Sequence, residues 1–318
     1  MSPLPREAVE IGVPLAAFLY GAVVGSFLNV VIYRLPRAQE GLTVAKPSRS
    51  LCPGCGAQIS WYDNVPIVSY FALAGRCRAC RCRIPFRYFG VELLTGFLFA
   101  YVAFCQVVEP MSAGADARWG VLLVHVGLLA SMVAVTFIDI DHQIIPDRID
   151  KPGIVLAFLV APIVPELHVA HGDLGTLSTA LGRLGVEVAP AFSVSTPWVT
   201  ALLSCALGAG IGAGVVYVIG VCGKAVFRKE AMGFGDVKYM AMLGGYLGWK
   251  GVFLTLLVAS LVGAVVGCLI RVFARTSYVP FGPFLSLGAL VVLFWRRELS
   301  WLLFEWYPRW LQAQSLVA

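Results

Sequence analysis

The sequence predicts an all-α fold: a polytopic membrane helix bundle of six to eight transmembrane helices, with a small polar domain between the first two. Three observations carry that reading. The 318 residues are 59% hydrophobic and only 13% charged, where a soluble domain has about 25% charged residues. Mean hydropathy is +0.82. The apolar residues fall into long runs, and a spanning helix needs about 20 of them in a row.

The runs lie at 12–33, 89–108, 120–138, 152–170, 198–222, 252–274 and 281–295. A shorter one at 237–248 is rich in glycine and is a candidate for an eighth helix. The first run has no small-residue cleavage site and reads as a retained helix rather than a signal peptide. The alternating glycines Gly208, Gly210, Gly212 and Gly214 suit close helix–helix approach in lipid. The resulting division is a first helix at 12–33, a polar domain at 34–88, a helical bundle at 89–295 and an interfacial tail at 296–318 rich in Trp and Tyr.

Positive charge sets the expected orientation. The 34–88 segment carries Arg34, Arg37, Lys46, Arg49, Arg76, Arg78, Arg81, Arg83 and Arg87, and Lys224, Arg228 and Lys229 precede Asp236. The loops 109–119 and 171–197 carry one Arg each, Arg118 and Arg183. The positive-inside bias therefore places the 34–88 segment in the cytoplasm and the N-terminus outside. Arg296 and Arg297 fit poorly, since eight crossings would leave them outside. The net charge of +6 reflects these loops and is not a nucleic-acid signal.

Residues 34–88 are too few for a large core and need a staple. Cys52-Pro53-Gly54-Cys55 and Cys77-Arg78-Ala79-Cys80 supply one, with 21 residues between the two pairs. Paired CxxC turns at this spacing read as a structural four-thiolate zinc site, closed to substrate. A reducing cytoplasm disfavours the disulfide alternative. Cys82 is a possible substitute ligand. Cys105, Cys205, Cys222 and Cys268 lie in or beside apolar runs and read as small buried residues.

Two aspartates stand at membrane borders, 97 positions apart: Asp139, in Phe137-Ile138-Asp139-Ile140-Asp141, and Asp236, in Gly233-Phe234-Gly235-Asp236-Val237-Lys238. A carboxylate at such a depth is costly unless it faces protein, water or a partner charge. Two that meet cannot both ionise easily, so one holds a proton while the other takes one from water. That chemistry is peptide hydrolysis without a covalent intermediate. The alternative is a helix cap or solvated end, the reading given to Asp141, Asp147 and Asp150.

Taken together these motifs resemble the bacterial type IV prepilin peptidases. The resemblance runs from Gly25-Ser26-Phe27-Leu28-Asn29 through the CxxC pairs, Ile84-Pro85-Phe86-Arg87-Tyr88 and Glu92-Leu93-Leu94-Thr95-Gly96, to the two aspartate motifs. It implies a bifunctional enzyme of the bacterial inner (cytoplasmic) membrane, a membrane aspartic protease of the GxGD type. Such an enzyme cuts the basic leader of prepilins and pseudopilins after a glycine at the cytoplasmic face. It then N-methylates the new terminal residue with S-adenosylmethionine. Asp139 and Asp236 match the family's catalytic aspartates. Glu40 and Arg87 are guesses for the methyl-donor site within 34–88, and Glu40, Asp63 and Glu92 are candidate partners for a basic leader.

Rival readings are a transporter with a zinc knuckle, which predicts ion flux and no cleavage, a scaffold whose aspartates are caps, and a membrane protease without methylation. The sequence names neither the particular substrates nor the oligomeric state.

Overall fold

The computed structural model describes residues 6–38, 41–45, 49–52, 54–169, 196–228, 232–273 and 280–306. Glu40, Lys46, Arg183 and Lys229 lie outside the described residues, as do 307–318 of the expected tail. The chain divides into two units, Met1–His142 and Gln143–Ala318. Among the described residues, five helices are long and apolar enough to cross a membrane. Among the described residues there is no strand, only two isolated bridges.

In the first unit, α1 spans Arg6–Arg34, the single-turn α2 Val68–Ala72, and α3 Phe86–Ala103. The chain stays helical through a wider turn at Phe104–Val108 into α4, Glu109–Ser112. Helix α5 is Trp119–His142. Helices α1 and α3 meet at glycines. A Cβ added to Gly21 would lie 2.7 Å from the Thr95 carbonyl oxygen, and one on Gly25 2.7 Å from the Glu92 Cα. Gly96 meets Phe18 in the same way. Lipid tails are as apolar as leucine, so helices in a membrane are held by close packing, and glycine permits the closest.

The second unit contains α6, Asp147–Val160, α7, Glu166–Val169, and α8, Pro197–Phe227. It continues with the forty-residue α9, Phe234–Phe273, and α10, Gly282–Ser300, whose last turn passes into a wider one at Trp301–Trp306. The run expected as one span over 152–170 is instead two pieces. Helix α6 has 14 residues, about 21 Å at 1.5 Å per residue, short of a bilayer core about 30 Å thick. Pro162 and Pro165 follow it, and proline lacks the N–H that helix continuation needs.

The glycine alternation of α8 resolves into two faces. A Cβ on Gly208 would lie 2.1 Å from the Gly244 carbonyl oxygen, and one on Gly212 2.6 Å from that of Met240. Gly210 and Gly214 have nothing within 4 Å. Residues four apart share a helix face, and those two apart do not. The contact is reciprocal, since a Cβ on Gly244 would lie 2.2 Å from the Gly208 carbonyl oxygen. Gly288 of α10 approaches the Thr255 carbonyl oxygen of α9 at 2.4 Å.

Helix α9 breaks at Gly248, where φ is 69° and ψ 174°, a conformation open almost only to glycine. The two arms correspond to the short run at 237–248 and the longer one at 252–274. A break frees carbonyls that lipid cannot satisfy. Arg296 answers it: buried on α10, it donates from Nη1 to the Leu247 carbonyl at 2.6 Å. This explains the misfit of Arg296 to the positive-inside pattern. Its partner is a broken helix rather than water, so it is not a loop charge. The tail boundary expected at 295/296 falls inside α10.

Gly208→Val is expected to destabilise the protein by about 1–3 kcal/mol or more, because the obstructing atom is backbone and cannot rotate aside. Gly210→Val, with the same helix-propensity cost and open space, serves as the matched control. Thermal unfolding of both variants in detergent measures the difference; equal melting temperatures would refute the close crossing.

Candidate functional site

Each cysteine pair sits on a small turn of the same design. In the first, Cys52 N–H donates to the Ala57 carbonyl and Gly56 N–H to the Cys52 carbonyl, closed by a bridge between Leu51 and Gln58. In the second, Cys77 N–H donates to the Cys82 carbonyl and Arg81 N–H to the Cys77 carbonyl, closed by a bridge between Arg76 and Arg83. The fifth position of each turn is left-handed, φ 71° at Gly56 and 60° at Arg81. The first turn uses glycine there; the second carries the strain of an arginine.

The two turns bring the sulfurs of Cys52, Cys55, Cys77 and Cys80 within 4.8 Å of one another. Cys52 Sγ and Cys80 Sγ are 3.9 Å apart. A tetrahedron with bonds of about 2.3 Å has edges of about 3.8 Å, so the cage fits a metal ion of that size. A fifth sulfur stands beside it. Cys82 Sγ lies 3.1 Å from that of Cys80 and 3.5 Å from that of Cys52. The thiols of Cys80 and Cys52 push Cys82 up to about 12, while hydrogen bonds from Cys82 hold Cys80 below its usual value. Cys82 takes the place in the second turn that Ala57 has in the first, which is why it reaches the cluster.

Asp139 lies in the last turn of α5 and is 5% exposed. Gln143, at φ 55°, ends that helix. Nearby, Arg87 at the start of α3 holds both oxygens of Asp141, at 2.6 and 2.5 Å, and lies over the Phe137 ring. Asp141 is therefore a strut between α3 and α5, not a free cap.

Asp236 belongs to the second unit. It sits in the first turn of α9, and its Oδ2 accepts the Gly233 N–H at 3.1 Å, half of a capping box. Gly235 is closely packed: a Cβ there would lie 3.1 Å from the Cβ of Ile145. Lys238 binds Asp147, which also pairs with Lys151 at 2.8 Å. These two lysines, Lys151 foremost, hold the Asp147 carboxyl down at about 2. Asp147 does not cap α6 through its side chain; Pro146 is the N-cap residue. Asp150, expected as a solvated end, is fully buried, and neither carboxyl oxygen has a hydrogen-bond partner among the described residues.

A cavity of about 480 Å³ opens in the first unit between the ends of α1 and α3 and the cysteine turns. Ser26, Asn29, Tyr70, Phe89 and Glu92 line it, together with Cys52, Cys77 and Cys82. Arg87 is not among its lining residues.

Residues 19–106 match the model of the bacterial peptidase A24 N-terminal domain, and residues 126–268 match that of the type IV leader peptidase family. The chain belongs to the type IV leader peptidase family. Three curated relatives are called prepilin leader peptidase/N-methyltransferase. That of Stutzerimonas stutzeri is 34% identical over 308 residues, 90% of this chain and 92% of its own. That of Pseudomonas aeruginosa is 33% identical over 308 residues, 90% and 91% of the two chains. That of Neisseria gonorrhoeae is 33% identical over 316 residues, 93% and 94%. No solved structure matches.

The leader peptidase match covers both Asp139 and Asp236; the N-terminal match covers the cysteine cage and the cavity. Sequence reasoning quoted Ser26, Asn29 and Glu92 as motif residues without seeing that they share a wall with Tyr70 and Phe89. The available signal was polarity inside an apolar run, which marks a residue facing protein or ligand.

Purified protein is expected to carry one metal ion per chain by elemental analysis. Cys52→Ser and Cys80→Ser should each lose most of it, and a strong chelator should lower the melting temperature of wild type. Cys82→Ser should retain the metal; its loss there would make Cys82 a ligand in place of one of the four.

Proposed function

We propose that this protein is a prepilin leader peptidase and N-methyltransferase of the bacterial inner membrane. It cuts the basic leader of prepilins and pseudopilins after a glycine, with Asp139 and Asp236 toward the cytoplasm and the substrate's apolar stem in the bilayer. It then methylates the new N-terminus with S-adenosylmethionine. The observation that carries the reading is that a leader peptidase match embraces two aspartates at the ends of long apolar helices, one of them buried.

On this reading Asp139 and Asp236 act as an acid–base pair on one water. One ionised carboxylate takes a proton from that water as it attacks the peptide carbonyl, while the protonated partner donates a hydrogen bond to the carbonyl oxygen; the tetrahedral intermediate then collapses, the C–N bond breaks, and the departing amine takes up the proton that the first carboxyl received from water. The Gly233 N–H on Asp236 Oδ2 fixes how that carboxyl is turned at the start of α9. Asp139 is held within α5, 5% exposed. Asp141 is committed to Arg87 and stays outside the reaction. The basic leader is drawn to the anionic cytoplasmic leaflet, which puts the scissile bond near that face of the membrane.

Zinc is the metal proposed for the cage of Cys52, Cys55, Cys77 and Cys80. Four thiolates leave no open position, so the ion holds the domain together and takes no part in hydrolysis. Arg87 serves the α3–α5 join and is not proposed for the methyl donor. Asp63 is held by both Arg78 nitrogens at 2.8 and 2.6 Å, so it is a poor partner for a leader.

The test is cleavage of a purified prepilin in liposomes. Asp139→Asn and Asp236→Asn are each expected to lose about 10²–10⁴-fold in rate, with melting temperature and metal content unchanged. Cleavage retained by either variant would make that aspartate structural.

A further inference from the structure

The cavity of the first unit is built like a small-molecule site. Its volume of about 480 Å³ lies within the roughly 300–1,000 Å³ usual for such sites. Its lining combines aromatic rings with a few converging polar groups. The rings are anchored: Tyr70 stacks on Phe89, with centroids 5.4 Å apart and planes at 29°, and Phe89 is held in turn by Phe71 and Phe86.

The polar groups are placed by the glycine crossing of α1 and α3. Asn29 donates from Nδ2 to the Tyr88 carbonyl at 2.9 Å, its one bond recorded among the described residues. An amide offers two donors and an acceptor, so capacity remains for a ligand. Glu92 accepts the Ile67 N–H at 2.7 Å. That bond holds Ile67 at φ 65°, a genuine outlier for a β-branched residue, and strain of this kind gathers at functional sites.

Charge selects the ligand class. Asp63 on the same wall is neutralised by Arg78. Arg34, held on the carbonyls of Thr43, Val44 and Arg49, and Arg83 also line the cavity and remain cationic, so the ligand must carry an anionic group as well as a cationic one. Glu92 alone of the two lining carboxylates has no ion pair among the described residues. A half-buried carboxylate beside aromatic faces attracts an organic cation, since both carry negative potential toward it.

We propose that this cavity binds the methyl donor S-adenosylmethionine, Glu92 facing its cationic sulfonium and ammonium end and the Tyr70–Phe89 wall its adenine. The inference rests on the methyltransferase reading and gives it a place. Bound there, the donor supplies an electrophilic methyl group. Cys52, Cys77 and Cys82 form part of the same wall, so the metal cage shapes the pocket without touching the chemistry.

The experiment is equilibrium dialysis of radiolabelled S-adenosylmethionine with full-length protein in lipid nanodiscs, followed by ultraviolet crosslinking and peptide mapping. Wild type is expected to bind at one site and to take label within 61–73 or 86–92. Glu92→Gln keeps an acceptor for Ile67 and is expected to weaken binding about 10- to 100-fold, the range for a lost charged partner. Tyr70→Ala should weaken it as well, and metal content reports folding of both. Should either variant misfold, the crosslink map on wild type decides alone. Label mapping outside the cavity, or unchanged binding by both folded variants, overturns the assignment and leaves the methyltransferase reading standing. No binding by wild type at millimolar donor overturns both.

Discussion

Contact between backbones at glycines is the constraint on which both units depend. In water, helices are pressed together by the hydrophobic effect; in lipid that force is absent, and close packing must replace it. Gly208 and Gly244 place each helix's carbonyl where the other's Cβ would stand. Gly21 and Gly25 do the same for α1 against α3. The second of these crossings fixes how deep Ser26 and Asn29 sit against Tyr88 and Glu92. The cavity is thus a consequence of glycine spacing before it is a consequence of its own polar residues.

The break in α9 follows the same logic in the opposite sense. Gly248 gives up helical geometry, and the cost falls on a carbonyl in a medium with no water. Arg296 is long enough to bring a charged donor to it from α10. A lysine there would offer a point charge where the planar guanidinium gives several fixed donors. One residue therefore both corrects the broken helix and departs from the charge rule that governs the loops.

The polar domain is solved differently, because its residues have little core to bury. Two turns of one design, each closed by a two-residue bridge, hold the thiols at the spacing of a metal tetrahedron. The turns also carry Arg76, Arg78, Arg81 and Arg83, whose mutual repulsion a metal staple must outweigh; Arg78 relieves part of it by pairing with Asp63. The shared wall of Cys52, Cys77 and Cys82 couples this domain to the cavity, so the integrity of one is the shape of the other.

By itself the sequence determined the all-helical membrane class, the position of the long apolar runs, the cysteine pairs and the two aspartate motifs, because hydropathy and residue spacing are local properties. It misjudged 152–170, where two prolines outweigh apolar composition, and it read Asp150 as solvated when the fold buries it. Only the tertiary structure decided which glycines of α8 face a neighbour, why Arg296 escapes the charge rule, that Asp141 is a strut to Arg87, and that residues 26, 29, 70, 89 and 92 line one cavity. Each of these depends on atoms brought together from distant parts of the chain, and no local pattern of hydropathy or spacing encodes a distance between two helices.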